Sequence, residues 1–199
     1  MLKSGFFWKM SLFIGIILIF SFSACEDDND YNGTPGLAFY QKGINGYSVS
    51  RGKATATEVV IPSEYNGKSV FCIEGKGFEN YSNLINISIP GSVIELRLRA
   101  FSGCINLASI TIPNNMKVIG DEAFYNCNNL ISITIPSSVT TTGKNVFYGC
   151  INLTSVTFES NYHNFYSASF PGDLSEKYSA GGIGTYTRSS GSNNTWTKQ

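Results

Sequence analysis

The chain has 199 residues and a formal net charge of zero, with 14% charged and 14% aromatic residues. A neutral chain offers no basic surface for the phosphates of a nucleic acid, so we expect no nucleic-acid partner. The composition is too apolar for a disordered protein and is typical of a β-rich domain.

The first 24 residues have the pattern of a secretory signal. Basic residues, including Lys9, stand before an apolar run at 12–20, and small residues then lead to Cys25. A basic start, a short apolar core and small residues before a cleavage point define such signals. The alternative is an uncleaved membrane anchor, although Lys9 would interrupt the membrane span.

The pentapeptide Ser21-Phe22-Ser23-Ala24-Cys25 resembles the lipobox of bacterial lipoproteins, with Phe22 where that family usually has Leu. The resemblance implies that Cys25 is acylated and becomes the new N-terminus. Residues 25–36 are acidic, polar and rich in turn-forming types, which predicts a flexible tether. We therefore expect a lipid-anchored protein of the cell envelope, at the outer membrane or cell surface.

The domain that follows begins with a predicted hairpin. Leu37–Tyr40 and Gly46–Val49 flank Asn45-Gly46, a dipeptide that favours a tight turn. Further on, Val59-Val60-Ile61-Pro62 is a short apolar strand followed by a proline, a pattern that recurs in the chain after residue 84. It is followed by five extra residues around Ser63–Lys68, whose Asn-Gly pair predicts another turn.

A 23-residue repeat organises the chain from residue 84, and it needs no gap. Equivalent positions carry the same residue types: Leu84, Leu107, Leu130 and Leu153; Ile87, Ile110, Ile133 and Val156; Phe101, Phe124, Phe147 and Phe170; and Cys104, Cys127 and Cys150. Such a period predicts a solenoid in which stacked coils bury these columns against one another. Each coil should contain one short strand, such as residues 85–89, with Ile87 inward and Asn86 outward.

The C-terminal part predicts a cap. Pro171–Tyr178 reads as a short helix that ends at Gly181-Gly182, since Pro suits a first turn and Gly a last one. Gly184–Thr187 predicts a last strand. Residues 189–199 are polar, and we expect a frayed tail.

The pattern Ile-Pro-x-x-Val-x-x-Ile-Gly-x-x-Ala-Phe-x-x-Cys-x-x-Leu resembles the BspA-type leucine-rich repeat, most clearly from Ile112 to Leu130. The resemblance covers residues 37–188. It implies a β-rich solenoid of right-handed coils with an N-terminal hairpin cap and a short C-terminal helix cap. Family members are secreted or surface-attached, some bind extracellular-matrix proteins or mediate adhesion, and no catalytic residues carry over. Arg97, Tyr81 and Thr142 depart from the pattern, so their coils should pack less regularly.

Two rows of uncharged side chains should face outward from the repeated strands. They are Asn86, Ser109, Ser132 and Ser155 in one row, and Ser88, Thr111, Thr134 and Thr157 in the other. We call these eight residues the hydroxyl face. It predicts a flat surface for a protein or glycan ligand, because repeat proteins use extended faces for binding. The alternatives are a solvated sheet face with good β propensity, or an ice-binding face like that of some β-solenoid antifreezes.

The sequence offers little for catalysis. His163 is the only histidine, and no sequence feature brings a nucleophile and a carboxylate to it. We predict an exposed turn residue there, no enzyme, no cofactor and no metal. The cysteine column is interpreted as core filling; a disulfide or soft-metal ladder is the alternative, although parallel side chains suit a disulfide poorly. Cys72, outside the column, should be the more exposed thiol.

These observations lead to one main hypothesis and one alternative. The main hypothesis is a monomeric, non-catalytic envelope lipoprotein that mediates protein–protein interaction or adhesion to host matrix or neighbouring cells. The alternative is a structural or periplasmic lipoprotein without a host ligand.

Overall fold

The computed structural model describes residues 32–161, 169–190 and 193–199. The predicted signal segment, Cys25, most of the tether and His163 lie outside these described residues. Within them, no helix is long and apolar enough to cross a membrane. The elements are β1 (Ala38–Gln41), β2 (Tyr47–Ser50), β3 (Glu58–Val60), β4 (Glu64–Tyr65), β5 (Lys68–Ile73), β6 (Asn86–Ser88), β7 (Glu95–Leu96), β8 (Ser109–Ile110), β9 (Val118–Ile119), β10 (Ser132–Ile135), β11 (Thr141–Thr142), β12 (Ser155–Phe158), α1 (Leu174–Gly181), β13 (Gly184–Thr187) and β14 (Thr197–Lys198).

The chain forms a solenoid of about five coils with a period near 23 residues, as predicted. The front of the solenoid consists of two sheets, β3-β6-β8 and β10-β12-β13-β14, which we together call the front sheet. The back sheet runs β1-β2-β5-β7-β9-β11, with β4 paired to β5. Each regular coil gives one strand to the front and one to the back, and equivalent strands pair in parallel with the next coil except at the break between β8 and β10. The short second strand after each proline was not predicted, because the repeat pattern indicated one strand per coil.

Stacked phenyl rings fill the core between the sheets and the turns that connect coils. Neighbouring ring centroids in the column lie 5.4, 5.5, 5.3 and 5.3 Å apart, and the planes are tilted by 22° or less. The column consists of Phe78, Phe101, Phe124, Phe147 and Phe170, all of them buried. This confirms the prediction on which the solenoid rests, because each ring removes apolar surface of its neighbour from water.

The turns that follow the phenylalanines alternate between Asn and Gly at a position with positive φ. Asn80 and Asn126 have φ of 56°, and Gly103 and Gly149 have φ of 72° and 76°. A Cβ on Gly103 would lie 2.2 Å from Oδ1 of Asn80, and one on Gly149 would lie 1.9 Å from Oδ1 of Asn126. Each Gly therefore both permits the left-handed backbone and makes room for the amide of the preceding coil.

The N-terminal hairpin forms as predicted, with β1 antiparallel to β2, and β2 then continues the back sheet in parallel with β5. Its connection is longer than the predicted two-residue turn. Gln41 pairs with Tyr47, so residues 42–46 form the loop, closed by a hydrogen bond from the Lys42 N–H to the Gly46 carbonyl at 2.8 Å. The five-residue insertion confirms its predicted turn: Asn66 and Gly67 both have positive φ and join β4 to β5.

The end of the predicted tether is part of the fold. The Thr34 N–H donates to the Val60 carbonyl at 2.9 Å, and the Val60 N–H donates to Thr34 Oγ1 at 2.7 Å. Thr34 is buried. These bonds cover the outer edge of β3, which would otherwise be an open strand edge at the start of the front sheet. The prediction that the tether stays flexible up to residue 36 is therefore wrong for its last residues.

The C-terminal cap contains the predicted helix, although it begins three residues later than expected. α1 ends at the predicted glycines, and Leu174 and Tyr178 are its buried residues, on one face as predicted. β13 reverses direction and pairs antiparallel with β12. The expectation of a frayed tail after residue 188 is wrong: β14 pairs with β13, and Trp196 is 1% exposed with its Nε1–H donating to the Pro171 carbonyl at 2.9 Å.

A buried guanidinium closes the end of the last coil. Arg188 is 6% exposed, and its Nε donates to the Leu153 carbonyl at 2.6 Å and its Nη2 to the Cys150 carbonyl at 3.2 Å. Its Nη1 donates to the Asn193 carbonyl at 3.2 Å, and its Cζ lies 5.0 Å from the centroid of the Trp196 ring. Burial lowers the pKa of Arg188 below its ordinary value. At this end of the solenoid there is no further coil to donate hydrogen bonds to the main-chain carbonyls of the last turn. The Arg188 side chain donates to them instead.

Two of the three departures from the repeat are compensated rather than disruptive. Thr142 pairs in register with Ile119, and the Arg97 N–H donates to the Ile73 carbonyl of the preceding coil at 3.2 Å, which contradicts the expected irregularity at both positions. Arg97 Nη1 reaches Glu74 Oε1 of the preceding coil at 2.8 Å. The Tyr81 hydroxyl donates to the Ala56 carbonyl at 2.6 Å. Thr142, by contrast, is 4% exposed, and its hydroxyl has no hydrogen-bond partner among the described residues.

Candidate functional site

The hydroxyl face lies on the outer surface of the front sheet, where its two rows run across the strands. Asn86 stands opposite Ser109 in the ladder, and Ser132 and Thr134 stand opposite Ser155 and Thr157. Because neighbouring strands are about 4.8 Å apart, each row repeats polar groups at that spacing. Six of the eight residues are exposed, namely Asn86, Ser88, Ser109, Thr111, Ser132 and Thr134.

The C-terminal end of the face is partly covered. Ser155 and Thr157 are only half-exposed, because β13 pairs with β12 beside them. Thr157 Oγ1 and Thr185 Oγ1 lie 2.9 Å apart, within hydrogen-bond distance. Ser155 pairs with Thr187, so β13 adds two further threonines to the rows. These two residues were missed as face residues, although the alternation in Gly184–Thr187 with a buried Tyr186 was the available signal.

Apolar side chains border the face just before two of the front strands, β6 and β10. Ile85 is 48% exposed and Ile131 is 56% exposed, one residue before Asn86 and Ser132. Val60, beside Ser88 in the ladder, is 47% exposed. Among the residues of the two rows no charge occurs, and the acidic Glu58 stands at the N-terminal edge. A surface of hydroxyls with an apolar border can form hydrogen bonds and bury apolar area with a partner.

The cysteine column is built into the core. All four described cysteines are free and buried, and no group of described residues could hold a metal ion. The thiols donate to a main-chain carbonyl of the preceding coil: Cys104 to Phe78 at 3.1 Å, Cys127 to Phe101 at 3.2 Å and Cys150 to Phe124 at 3.0 Å. Burial raises the pKa of Cys104 to about 12, so this thiol stays protonated and unreactive at neutral pH.

Cys72 is not the exposed thiol that was predicted, because its side chain is fully buried. It stands between Ser48 and Glu95 in the outward row of the back sheet. An ion-pair chain borders this position, in which Glu74 Oε1 lies 2.6 Å from Lys42 Nζ and 2.8 Å from Arg97 Nη1. Burial alone would raise the pKa of Glu74, but hydrogen bonds from Lys42 and Ser48 together with the nearby Arg97 lower it.

The back of the molecule is thus charged and self-paired, while the hydroxyl face is neutral. None of the eight residues of the hydroxyl face is a histidine, a cysteine or a carboxylic acid. Surface ion pairs satisfy one another and offer little net charge to a ligand. The geometry therefore suits recognition by hydrogen bonds and apolar contact at the front sheet.

Comparisons with known proteins identify the repeat. A family model described as "BspA type Leucine rich repeat region" matches residues 52–176 in six copies. A solved leucine-rich repeat protein from Bacteroides capillosus is 30% identical, with a TM-score of 0.56 over 62% of this chain and 94% of that one. The T. pallidum leucine-rich repeat protein is 26% identical, with a TM-score of 0.52 over 61% of this chain and 68% of that one. No curated protein sequence matches the chain.

Proposed function

Because the chain belongs to the BspA-type leucine-rich repeat family, we propose that it is a non-catalytic binding module of the bacterial cell envelope. The observation that supports this most is the hydroxyl face, in which six exposed uncharged residues repeat across parallel strands. Repeat scaffolds present extended surfaces of this kind to macromolecular partners. The ligand is a protein or a glycan at the cell surface, and the function is interaction or adhesion.

The polar rows and their apolar border have complementary roles in this proposal. The serine and threonine hydroxyls each donate and accept one or more hydrogen bonds, so they match a backbone or a sugar without demanding charge. Ile85 and Ile131 supply the apolar area that is removed from water on association. Since neither row contains a charge, binding should depend only weakly on salt.

The proposed location at the cell envelope rests on Cys25. The lipobox-like sequence before it supports acylation, which would attach the chain to the outer membrane with the solenoid at the cell surface. Metabolic labelling with a palmitate analogue tests the anchor: wild-type protein should be labelled and Cys25→Ala should not. Protease treatment of intact cells tests the location, because a surface protein is degraded and a periplasmic one survives.

Binding is tested with the chain lacking residues 1–25, presented to fibronectin, fibrinogen, a glycan array and whole cells. We expect saturable binding to at least one of them. The variant Ser109→Lys/Thr134→Lys places two charges on the hydroxyl face and should weaken that binding at least ten-fold. Asn114→Lys places one charge at an exposed position outside both rows, and this control should bind like wild type.

Two results would count against the proposal. Absence of saturable binding to every probe would favour the structural, ligand-free alternative, particularly if the protein also survives protease treatment of intact cells. Equal weakening by Asn114→Lys would show a general charge effect rather than a contact at the hydroxyl face.

A further inference from the structure

A groove lies on a different surface, formed by the turns that carry the phenylalanine column. The residue after each phenylalanine differs between coils: it is Glu79, Ser102, Tyr125 or Tyr148, and of these Ser102 is buried while Tyr148 is exposed. Along the solenoid, the small Ser102 is therefore followed by the two large rings of Tyr125 and Tyr148. The resulting groove has a volume of about 440 Å³, within the roughly 300–1,000 Å³ of small-molecule sites. Its lining includes Asn80, Arg99, Ser102, Glu122, Tyr125 and Tyr148.

One wall of the groove is an aromatic pair. The rings of Tyr125 and Tyr148 are stacked with centroids 5.4 Å apart and planes tilted by 16°, and Tyr148 is 56% exposed. Because Tyr148 covers one face of Tyr125, the other face is directed toward the coil that carries Ser102 and Gly103. Neither of these small residues fills the space beside the ring. The stacked partner also fixes the Tyr125 ring, so a ligand would lose little side-chain entropy on meeting it.

The rim beside this wall is polar and already organised. Arg99 Nε donates to Glu122 Oε2 at 2.6 Å, and Arg99 Nη1 lies 3.7 Å from Glu79 Oε1. This hydrogen bond to Glu122 raises the pKa of Arg99, so the guanidinium stays charged. The Asn80 amide lies against Gly103, where any Cβ would displace it. Carboxylate oxygens, a guanidinium and an amide thus stand in fixed positions within one groove.

The charged side chains of the groove favour some classes of ligand over others. Arg99 in the groove is already paired with Glu122 and also lies 3.7 Å from Glu79, so an anion such as a phosphate, a sulfate or a nucleic acid would have to compete with these carboxylates for the guanidinium. A purely apolar ligand would leave these charged groups desolvated without partners. The groove instead suits a neutral ligand that has an apolar face and several hydroxyls around its edge.

We propose that this groove binds a neutral pyranose sugar, with one ring face on Tyr125 and its hydroxyls on the Arg99–Glu122 pair and the Asn80 amide. The C–H face of a pyranose is apolar and matches an aromatic ring in size. Its equatorial hydroxyls donate to carboxylate oxygens and accept from guanidinium and amide N–H groups. The site is independent of the hydroxyl face, so it can be tested separately.

The chain lacking residues 1–25 is titrated with methyl glycosides of glucose, galactose, mannose and N-acetylglucosamine and with their neutral disaccharides. Saturation-transfer NMR reports contact, and calorimetry gives the dissociation constant. Tyr125→Ser copies the residue that the preceding coil has at this position, so the fold should tolerate it. We expect it to weaken binding at least ten-fold. Tyr125→Phe keeps the ring and should change the dissociation constant by less than three-fold.

Two controls locate the effect. Tyr40→Ser removes a tyrosine ring outside the groove, at a position that is 48% exposed, and should bind like wild type. Ser109→Lys/Thr134→Lys should also keep sugar binding, even though it should weaken any binding at the hydroxyl face. Raising the salt from 0.05 to 0.5 M should leave the affinity unchanged, because the sugar is neutral.

The proposal is overturned if no neutral sugar of the panel binds up to 50 mM, a limit set about ten-fold above the roughly 5 mM expected of a shallow single-sugar contact. It is also overturned if folded Tyr125→Ser binds as wild type does, or if raising the salt releases the bound sugar. Circular dichroism of each variant confirms that a loss of binding is not a loss of fold.

Discussion

The two ends of the solenoid are closed in different ways. At the N-terminal end, β2 continues the back sheet in parallel and β1 folds back over it, with the Phe39 and Tyr65 rings stacked at 4.0 Å on a half-exposed surface. At the C-terminal end, β13 reverses the direction of the front sheet. There Tyr186 and Trp196 are buried completely, together with Arg188.

The difference follows from what each end leaves unpaired. Both ends of a stack of strands expose an edge that can pair with another chain. The N-terminal edge is covered mainly by backbone, through the hairpin and Thr34. The C-terminal end also leaves the carbonyls of the last turn, which Arg188 satisfies. We therefore expect the C-terminal cap to contribute more to the free energy of unfolding than the N-terminal cap.

The largest effect is expected for Trp196→Ala. Its indole is 1% exposed and covers Arg188, so truncation opens a cavity and uncovers the buried charge. We predict a loss of about 4 kcal/mol in the free energy of unfolding, measured by urea denaturation. Ile183→Ala, a 49% exposed residue of the same cap, should cost less than about 0.5 kcal/mol. A loss below about 1 kcal/mol for Trp196→Ala would mean that the last strand frays in solution.

Arg188→Met should have the next largest effect. The side chain keeps its apolar stem, but the carbonyls of Leu153 and Cys150 lose their donor while buried. Unpaired buried groups of this kind predict a loss of about 3 kcal/mol.

A matched variant separates charge from geometry at the same position. Arg188→Lys keeps the positive charge but lacks the planar fork that reaches several carbonyls at once, so it should recover only part of the stability. Full recovery by Lys would mean that charge, and not the set of directed hydrogen bonds, closes this end.

The same contrast explains what could be predicted from the sequence. The phenylalanine column, the hairpin and the Asn66-Gly67 turn were predictable because each depends on a local pattern or on an exact repeat. The roles of Arg188 and Trp196 were not, because they occur once, outside the repeat, and depend on contacts with residues about 25–38 positions away. A polar composition at 189–199 suggested a free tail, although a single Trp within it was the available signal.

The candidate site follows the same rule. The rows of the hydroxyl face were predictable because strands alternate with period two, and six of the eight residues are exposed. That β13 would partly cover Ser155 and Thr157 could not be predicted, since it depends on an antiparallel pairing between distant segments. The groove beside Tyr125 was missed because it arises from a difference between coils, whereas a sequence repeat reveals only what the coils share.

A smaller effect is expected at the N-terminal cap from Tyr65→Ala. The ring stacks on Phe39 and meets Tyr47 edge-on at 5.0 Å, but it is only half-buried. We predict a loss of about 1.5 kcal/mol. Hydrogen exchange should show faster opening of β1 and β2 with little change in β9. If Tyr65→Ala cost as much as Trp196→Ala, the two caps would be equivalent and the comparison would fail.

The smallest effect, and the only gain, is expected from Thr142→Val at the last strand of the back sheet. Thr142 continues the inward row of Leu96 and Ile119, yet it brings a buried hydroxyl that has no partner among the described residues. Val fills a similar volume without that group, so the free energy of unfolding should rise by about 1 kcal/mol. Thr141→Val, the exposed neighbour, should change it by less than about 0.5 kcal/mol. An unchanged or lower stability for Thr142→Val would show that its hydroxyl is hydrogen-bonded in solution. The last strand of the back sheet would then carry a hydrogen-bonded polar group at Thr142, as the C-terminal end of the front sheet does at Arg188.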